Sequence, residues 1–499
     1  MLSEAKSASG GKKYLEHLEH PAQAVVLLFI ILTGTNLFAS APDTLWTRTF
    51  GGAAGDGGYS VQQTQDSGFI IVGQTWSFGI DSGDVYLIRT NSSGDTLWTK
   101  TFGGAGNDFG WSVKQTQDNG FIIAGYTKSF GAGGYDVYLI KTNSSGDTIW
   151  TKTFGGTGSD YGYFVQQTQD GGFIIAGTTF SFGTNGDVYL IKTNSSGDTL
   201  WTRTFGGTNY DGGFSVQQTQ DGGFIIAGTY SSGAPIDVYL IRTNSSGNTL
   251  WTKTFGGAGV DEGYSVQQTQ DGGFIIAGNT LSFGAGNWDV YLIRTNSSGD
   301  TLWTKTFGGT DVDESYSVQQ TKDGGFIIAG LTQSFGAGNL DVYLIRTDSS
   351  GDTLWTKTFG GTAVDAGYSV QQTEDGGYII AGITGSFGAG YGDVYLIRLG
   401  KETGVEEKLN IKNQISKLEI GENPITNFAN ISYTVPSQSG LELKLYDLSG
   451  RCVKTLVNGQ KPAGTYTTTL NSKDLKAGIY FVRLVVGGYK ETKKLILMR

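Results

Sequence analysis

The sequence predicts an all-β protein: a seven-bladed β-propeller with four-stranded blades, followed by a small immunoglobulin-like β-sandwich. Three observations lead there. Tryptophan recurs about every fifty residues, at Trp46, Trp98, Trp150, Trp201, Trp251, Trp303 and Trp355, which is the length of one blade. Each unit repeats four strand-like segments, of the types TLWTKTF, YSVQQT, FIIAG and VYLIRT, and none has helical periodicity. The repeat stops after Leu399, and a different pattern of short strands begins.

The chain has 499 residues, enough for several domains. Residues 1–41 read as a secretory signal peptide. Lys12 and Lys13 precede an apolar run from Ala22 to Phe38, and Ala39-Ser40-Ala41 offers a small-residue cleavage pattern. The alternative is an uncleaved anchor, but the run is short of the roughly 20 apolar residues that spanning needs.

Residues 42–399 hold the repeats, here called the Trp, Gln, Ile and Tyr strands in chain order. DGG or a variant joins the Gln and Ile strands, and NSSGD joins the Tyr and Trp strands. Both are glycine-bearing hairpin turns. Terminal copies resemble the inner ones, which favours a closed ring over an open solenoid needing caps. The Ile and Tyr strands are apolar throughout and so are covered on both faces. The blade order from axis to rim is therefore Gln, Ile, Tyr, Trp. A basic residue such as Lys100 guards the outer edge from pairing. The repeats begin on a Trp strand, Thr44 to Phe50, and end on a Tyr strand. The N-terminal strand must therefore close the seventh blade. The Trp residues are expected to pack between blades.

Residues 400–416 are charged and read as a linker. Residues 417–499 form the small sandwich.

The formal net charge of −10 argues against a nucleic-acid partner. Cys452 stands alone, which leaves no intramolecular disulfide. His17 and His20 precede the apolar run, so a processed chain offers no Ser-His-Asp or Cys-His set.

The repeats, with FGG, Asp, DGGFIIAG, SFGAG and D-V-Y-L-I in order, resemble bacterial β-propeller repeat proteins of secreted type. The C-terminal region resembles the type A C-terminal sorting domain of type IX secretion cargo. The resemblance is carried by Asn423-Pro424, Ile431-Ser432-Tyr433, Leu445-Tyr446-Asp447, Gly450-Arg451, Gly464, Gly478-Ile479-Tyr480 and Lys493-Lys494-Leu495. It implies export across both membranes, the type IX machinery as partner, and release or attachment at the cell surface. Membrane contact would be transient, through the signal peptide.

Two loops per blade vary and share one face, as a binding surface on a rigid scaffold would. The first ends in Asp56, Asp108, Asp160, Asp211, Asp261, Asp313 or Asp365. A ring of these at the channel mouth could hold Ca²⁺, although the close oxygen spacing of a calcium loop is missing. The alternative is that each caps its own turn, with no cofactor. The second loop's aspartates (Asp84, Asp136, Asp187, Asp237, Asp289, Asp341, Asp393) admit the same reading. Aromatics that break the repeat are the ligand-binding candidates: Trp76, Phe109, Trp111, Tyr135, Tyr161, Tyr210, Trp288 and Tyr391. They could stack on a glycan or anchor a surface protein. Asp311, Glu262 and Glu314 are the loop carboxylates outside the repeat's own pattern. The expectation is a secreted or surface binding, adhesion or structural module rather than an enzyme. The alternative is a carbohydrate-active enzyme using paired carboxylates.

Overall fold

A strand that is apolar at every position must be covered on both faces, and stacked sheets provide that. The computed structural model describes residues 40–80, 82–402, 418–421, 423–435, 439–462, 464–486 and 489–498. The expected signal peptide, up to residue 39, and the linker beyond Glu402 lie outside the described residues. The first blade comprises β2 (Asp56–Gln63), β3 (Phe69–Thr75), β4 (Asp84–Thr90) and β5 (Thr96–Phe102), hydrogen-bonded in that order. Strands β6 to β25, residues 108–359, form blades 2 to 6 on the same plan. Blade 7 holds β26 (Asp365–Gln372), β27 (Tyr378–Thr384) and β28 (Asp393–Leu399). Its fourth strand is β1 (Thr44–Phe50), antiparallel to β28 with Phe50 opposite Val394. Blade order and closing strand are those that the burial pattern requires.

The hydrophobic core lies between blades. Ile70, Val72, Val85 and Leu87 of blade 1 interleave with Phe121, Ile123, Tyr138 and Ile140 of blade 2. Trp98 meets Phe121 of the next blade edge-on, with ring centroids 6.0 Å apart, and the other six tryptophans repeat the contact. Lys100 on the rim reaches Asp147 in the next blade's turn at 2.9 Å, so it clasps two blades as well as guarding an edge.

Each Tyr strand also buries a basic residue against its own blade's DGG turn. Arg89, 6% exposed, meets Asp66 at 2.5 Å. Burial works against ionisation of Asp66, but Thr64, the Arg89 guanidinium and the Gly68 N–H outweigh it and hold the carboxyl below its usual range.

The inner strands are hooped together. The Ser60 hydroxyl accepts from Val113 N–H of the next blade, and Gln62 Oε1 accepts from Gln115 N–H at 2.7 Å. Gln115 Oε1 in turn accepts from Gln65 N–H, in the reverse direction. The rings are broken twice. Lys114 stands where other blades have the first glutamine, and Phe164 stands where they have serine. Gln167 N–H and Val216 N–H thereby lose the side-chain acceptors that their counterparts have.

At the seam of blades 6 and 7 the repeat gains bonds instead. Glu402 folds back and is 6% exposed. Its Oε1 accepts from Arg346 Nε at 2.8 Å, Tyr378 OH at 2.6 Å and Trp355 Nε1 at 3.1 Å. Tyr378 is the one tyrosine where the other blades have phenylalanine.

The C-terminal unit packs two sheets. One holds β29 (Leu418–Ile420), β30 (Phe428–Val435) and β33 (Gly464–Asn471). The other runs β32 (Cys452–Lys461), β31 (Ser439–Asp447), β34 (Gly478–Val486), β35 (Tyr489–Leu497). Alternating residues such as Ile431, Tyr433, Leu443, Leu445, Val482 and Leu484 fill the space between them. Cys452 is exposed.

Candidate functional site: the channel and its mouth

A β-bulge in each inner strand turns one aromatic side chain toward the axis. In blade 1 the register shifts between Gly58 and Ser60, and Tyr59 is the extra residue. Its counterparts are Trp111, Tyr163, Phe214, Tyr264, Tyr316 and Tyr368. Together they form an unbroken aromatic ring. Tyr59 stacks on Trp111 at 4.4 Å, and every other neighbouring pair lies between 5.0 and 5.8 Å, round to Tyr368 against Tyr59. Below this ring, the serine layer and the first glutamine layer line a cavity of about 720 Å³. Among the described residues, Lys114 is the single charged side chain lining it. Its Nζ lies 5.2 Å from the Phe164 ring centroid, and burial pulls its pKa down to about 8.

Above the ring the copies diverge. The residue after each first-loop aspartate is Gly57, Phe109, Tyr161, Gly212, Glu262, Glu314 or Ala366. Blades 2 and 3 therefore place aromatics at the mouth, and blades 5 and 6 place carboxylates. Tyr126, opposite Phe109 in the sheet, is the hub of the aromatic side. It meets Phe109 at 4.8 Å, Tyr161 at 4.9 Å and Tyr135 at 5.2 Å. Tyr161 continues through Phe180 to Tyr210. Burial, partly offset by the nearby Trp111 indole, pushes Tyr126 up to about 12.

On the acidic side, Tyr264 OH donates to Glu262 at 2.5 Å, and Tyr316 OH donates to Glu314. Burial raises the Glu262 carboxyl above its usual range. The Tyr264 hydroxyl opposes the rise and the Glu314 carboxylate adds to it.

Of the sequence candidates, Phe109, Trp111, Tyr135, Tyr161 and Tyr210 come together here. Trp76, Trp288 and Tyr391 sit in other loops outside the cluster; Tyr391 is 93% exposed. Tyr126 and Lys114 were not singled out from the sequence. Lys114 departs visibly from the glutamine of its six counterparts, whereas the Tyr126 position varies among the copies and carries no such mark.

The first-loop aspartates face their own loops instead of ringing the mouth. Asp56, Asp108, Asp160, Asp211, Asp261, Asp313 and Asp365 are at most 1% exposed. Asp108 Oδ2 accepts from Gly104 N–H at 2.9 Å and from the Ser129 hydroxyl at 2.6 Å. The second-loop aspartates repeat the device: Asp84 Oδ2 accepts from Ile80 N–H at 2.7 Å. Gly103 passes between the two carboxylates. A Cβ there would lie 1.8 Å from Asp84 and 2.6 Å from Asp108, so the FGG motif needs its first glycine. Burial, with the Asp108 charge, raises the Asp84 carboxyl despite the Ile80 N–H. Among the described residues no group of three or more Asp, Glu, His or Cys side chains is placed to hold a metal ion. Asp311, the other off-pattern carboxylate, donates its backbone N–H to the Ser334 hydroxyl at 3.1 Å.

In the C-terminal sandwich, Asn423 stitches its segment to β35. Its Nδ2 donates to the Lys494 carbonyl at 2.7 Å, and its Oδ1 accepts from Ile496 N–H at 2.9 Å. The Asn423–Pro424 peptide is cis. Gly450 takes a φ of 78° in the hairpin closed by Asp447. Gly478 opens β34, and Tyr480 OH holds the Lys476 carbonyl at 2.8 Å. Lys493 and Lys494 are exposed on β35, ahead of the buried Leu495.

Residues 423–498 match the secretion system C-terminal sorting domain family. The chain thus carries a type IX sorting domain, which implies engagement of the type IX machinery. It marks the protein for export, and for secretion or cell-surface attachment. No curated protein matches the chain. Solved structures similar to it include Sqt1 from Chaetomium thermophilum, at 11% identity over 73% of this chain and 86% of that one, with a TM-score of 0.42. The Pan2 WD40 domain of Neurospora crassa is 9% identical over 73% and 97%, with a TM-score of 0.40. A polysaccharide lyase, an ulvan lyase, is 12% identical over 72% and 99%, with a TM-score of 0.45.

Proposed function

We propose that this exported protein is a binding module whose ligand, a glycan, docks at the channel mouth between the aromatic side of blades 2 and 3 and the carboxylates of blades 5 and 6. The observation that carries this reading is the gathering of Phe109, Tyr126, Tyr135 and Tyr161 around one point. Flat apolar sugar faces stack on such rings, and sugar hydroxyls donate to carboxylates. These residues sit on the face whose loops vary, while the scaffold beneath is uniform.

A glycan array with the secreted chain, followed by calorimetry on hits, tests it. Tyr161→Ala is expected to weaken a hit about tenfold or more, since loss of an aromatic anchor costs about 2 kcal/mol. An array without hits, or hits insensitive to Tyr161→Ala and Glu314→Gln, removes the reading.

The raised carboxyl of Glu262 beside Glu314 supports a second reading, glycoside cleavage with Glu262 as acid and Glu314 as base. Turnover of an array hit, abolished by Glu262→Gln, replaces the binding reading with this one.

A further inference from the structure

The first glutamine layer of the channel has a property that its repeat does not require. Six blades supply Gln62, Gln166, Gln217, Gln267, Gln319 and Gln371. The Oε1 of each accepts the backbone N–H of the following blade at 2.5 to 2.7 Å. A backbone N–H can only donate, so the orientation of each carboxamide is fixed, and its free end is the NH₂ group. Five of them, all but Gln62, line the cavity. The seventh member is Lys114, whose ammonium also only donates, and which has no carboxylate partner among the described residues. The layer is thus a hoop of donors with one positive charge and no acceptor facing inward.

The geometry points to an oxyanion site at this level of the channel, centred on Lys114 Nζ and completed by the Gln166 amide of the next blade. A sulfate, a phosphate or a carboxylate fits this chemistry, each being negatively charged and rich in acceptor oxygens. Charge-assisted bonds in an enclosed cavity are stronger than on a surface. Lys114 replaces a glutamine that would have joined the hoop, which exchanges a hydrogen bond of the scaffold for a charge. Phe164, under its Nζ, excludes water on one side and leaves the ammonium seeking its partner on the other. The site lies below the aromatic ring and stands or falls independently of the mouth.

The test is calorimetric titration of the full chain with inorganic sulfate, phosphate and acetate at constant ionic strength. One saturable site per chain is expected. The preferred anion separates a carboxylate ligand from a sulfate or phosphate one. Lys114→Gln, which restores the repeat and its bond to Gln167 N–H, should fold and should bind about tenfold or more weakly, the effect of losing a charge-assisted bond. Lys114→Arg should retain binding. Binding should fade as pH rises through about 8, where Lys114 discharges. The other ionisable groups facing the channel are Tyr59, Tyr126, Tyr163, Tyr264, Tyr316 and Tyr368. Burial raises all of them above the ordinary tyrosine range, so they stay neutral there. Acetylation of Lys114 in the unaltered chain, read by mass spectrometry, should slow when the anion is present. Absence of saturable binding, equal affinity in Lys114→Gln, or unchanged acetylation overturns the proposal.

Discussion

Two seams of the propeller depart from the repeat, and they depart in opposite directions. Between blades 6 and 7 the chain adds Glu402 and Tyr378, and Glu402 Oε1 and the Tyr378 hydroxyl both find partners. In blades 2 and 3 it substitutes Lys114 and Phe164, and the hoops lose one acceptor toward blade 3 and one toward blade 4. A departure that adds satisfied bonds is explained by stability. One that removes bonds and leaves an ammonium without a carboxylate partner is not explained by stability, and the proposed anion site would account for it. The comparison separates structure from function inside a scaffold whose uniformity otherwise hides the difference.

The comparison can be broken most directly at Glu402. Glu402→Ala leaves the Arg346 guanidinium, 1% exposed, with Asp323 as its remaining carboxylate. A loss of about 3 kcal/mol is expected, typical of a broken buried pair, measurable by urea denaturation. A loss below about 1 kcal/mol would mean that the seam is not held by this network.

Next comes Asp323. It is 18% exposed, whereas its counterpart Asp221 is 67% exposed. Asp323→Asn should cost about 2 kcal/mol and Asp221→Asn about 1 kcal/mol or less. For Asp323, burial opposes ionisation, and Arg346 with Thr321 and Gly325 overcomes it, so the folded carboxyl sits below its unfolded value. Such a group stabilises the fold above its unfolded pKa, and that contribution disappears as pH falls through the folded one. Asp323→Asn should therefore flatten the acid side of the stability profile followed by circular dichroism. Asp84 works with the opposite sign: its raised carboxyl is relieved, not weakened, by acid.

The functional seam should respond the other way. Lys114→Gln is expected to stabilise the protein by about 1 kcal/mol, as it restores one hydrogen bond of the hoop. Phe164→Ser restores one too but strips apolar packing from the core beside it and should destabilise on balance. Destabilisation by Lys114→Gln would place the lysine among the structural residues. The smallest effect is expected from Lys100→Ala on the rim, about 0.5 kcal/mol and reduced by salt.

The ring, the blade order and the strand borrowed from the N-terminus were legible because each follows from periodicity and from which segments are apolar on both faces. The sorting domain was legible because its spaced glycines and terminal lysines are local in sequence. The site was legible in part. Phe109, Trp111, Tyr135, Tyr161 and Tyr210 show as departures from the repeat; Tyr135 and Tyr210 lie in loops, and Phe109, Trp111 and Tyr161 prove to lie within inner strands. Tyr126 sits within a strand whose other positions are core, so nothing local marks it as the hub. The aromatic ring at Tyr59 and its counterparts was hidden because a bulge, which a sequence does not display, turns that position to the axis. Glu402 lies in a charged stretch that reads as linker, and its partners are far away in the chain.

The closing strand has one more consequence. Thr44 is made early and its partner Leu399 late, so the strand nearest the start of the ring waits for the whole propeller before it can pair. Until then the growing ring has an open side at both ends, with unmet backbone donors and acceptors. An interrupted chain cannot complete the circle. Closure therefore acts as a proof of length, granted only to molecules that have reached the threshold of their sorting domain.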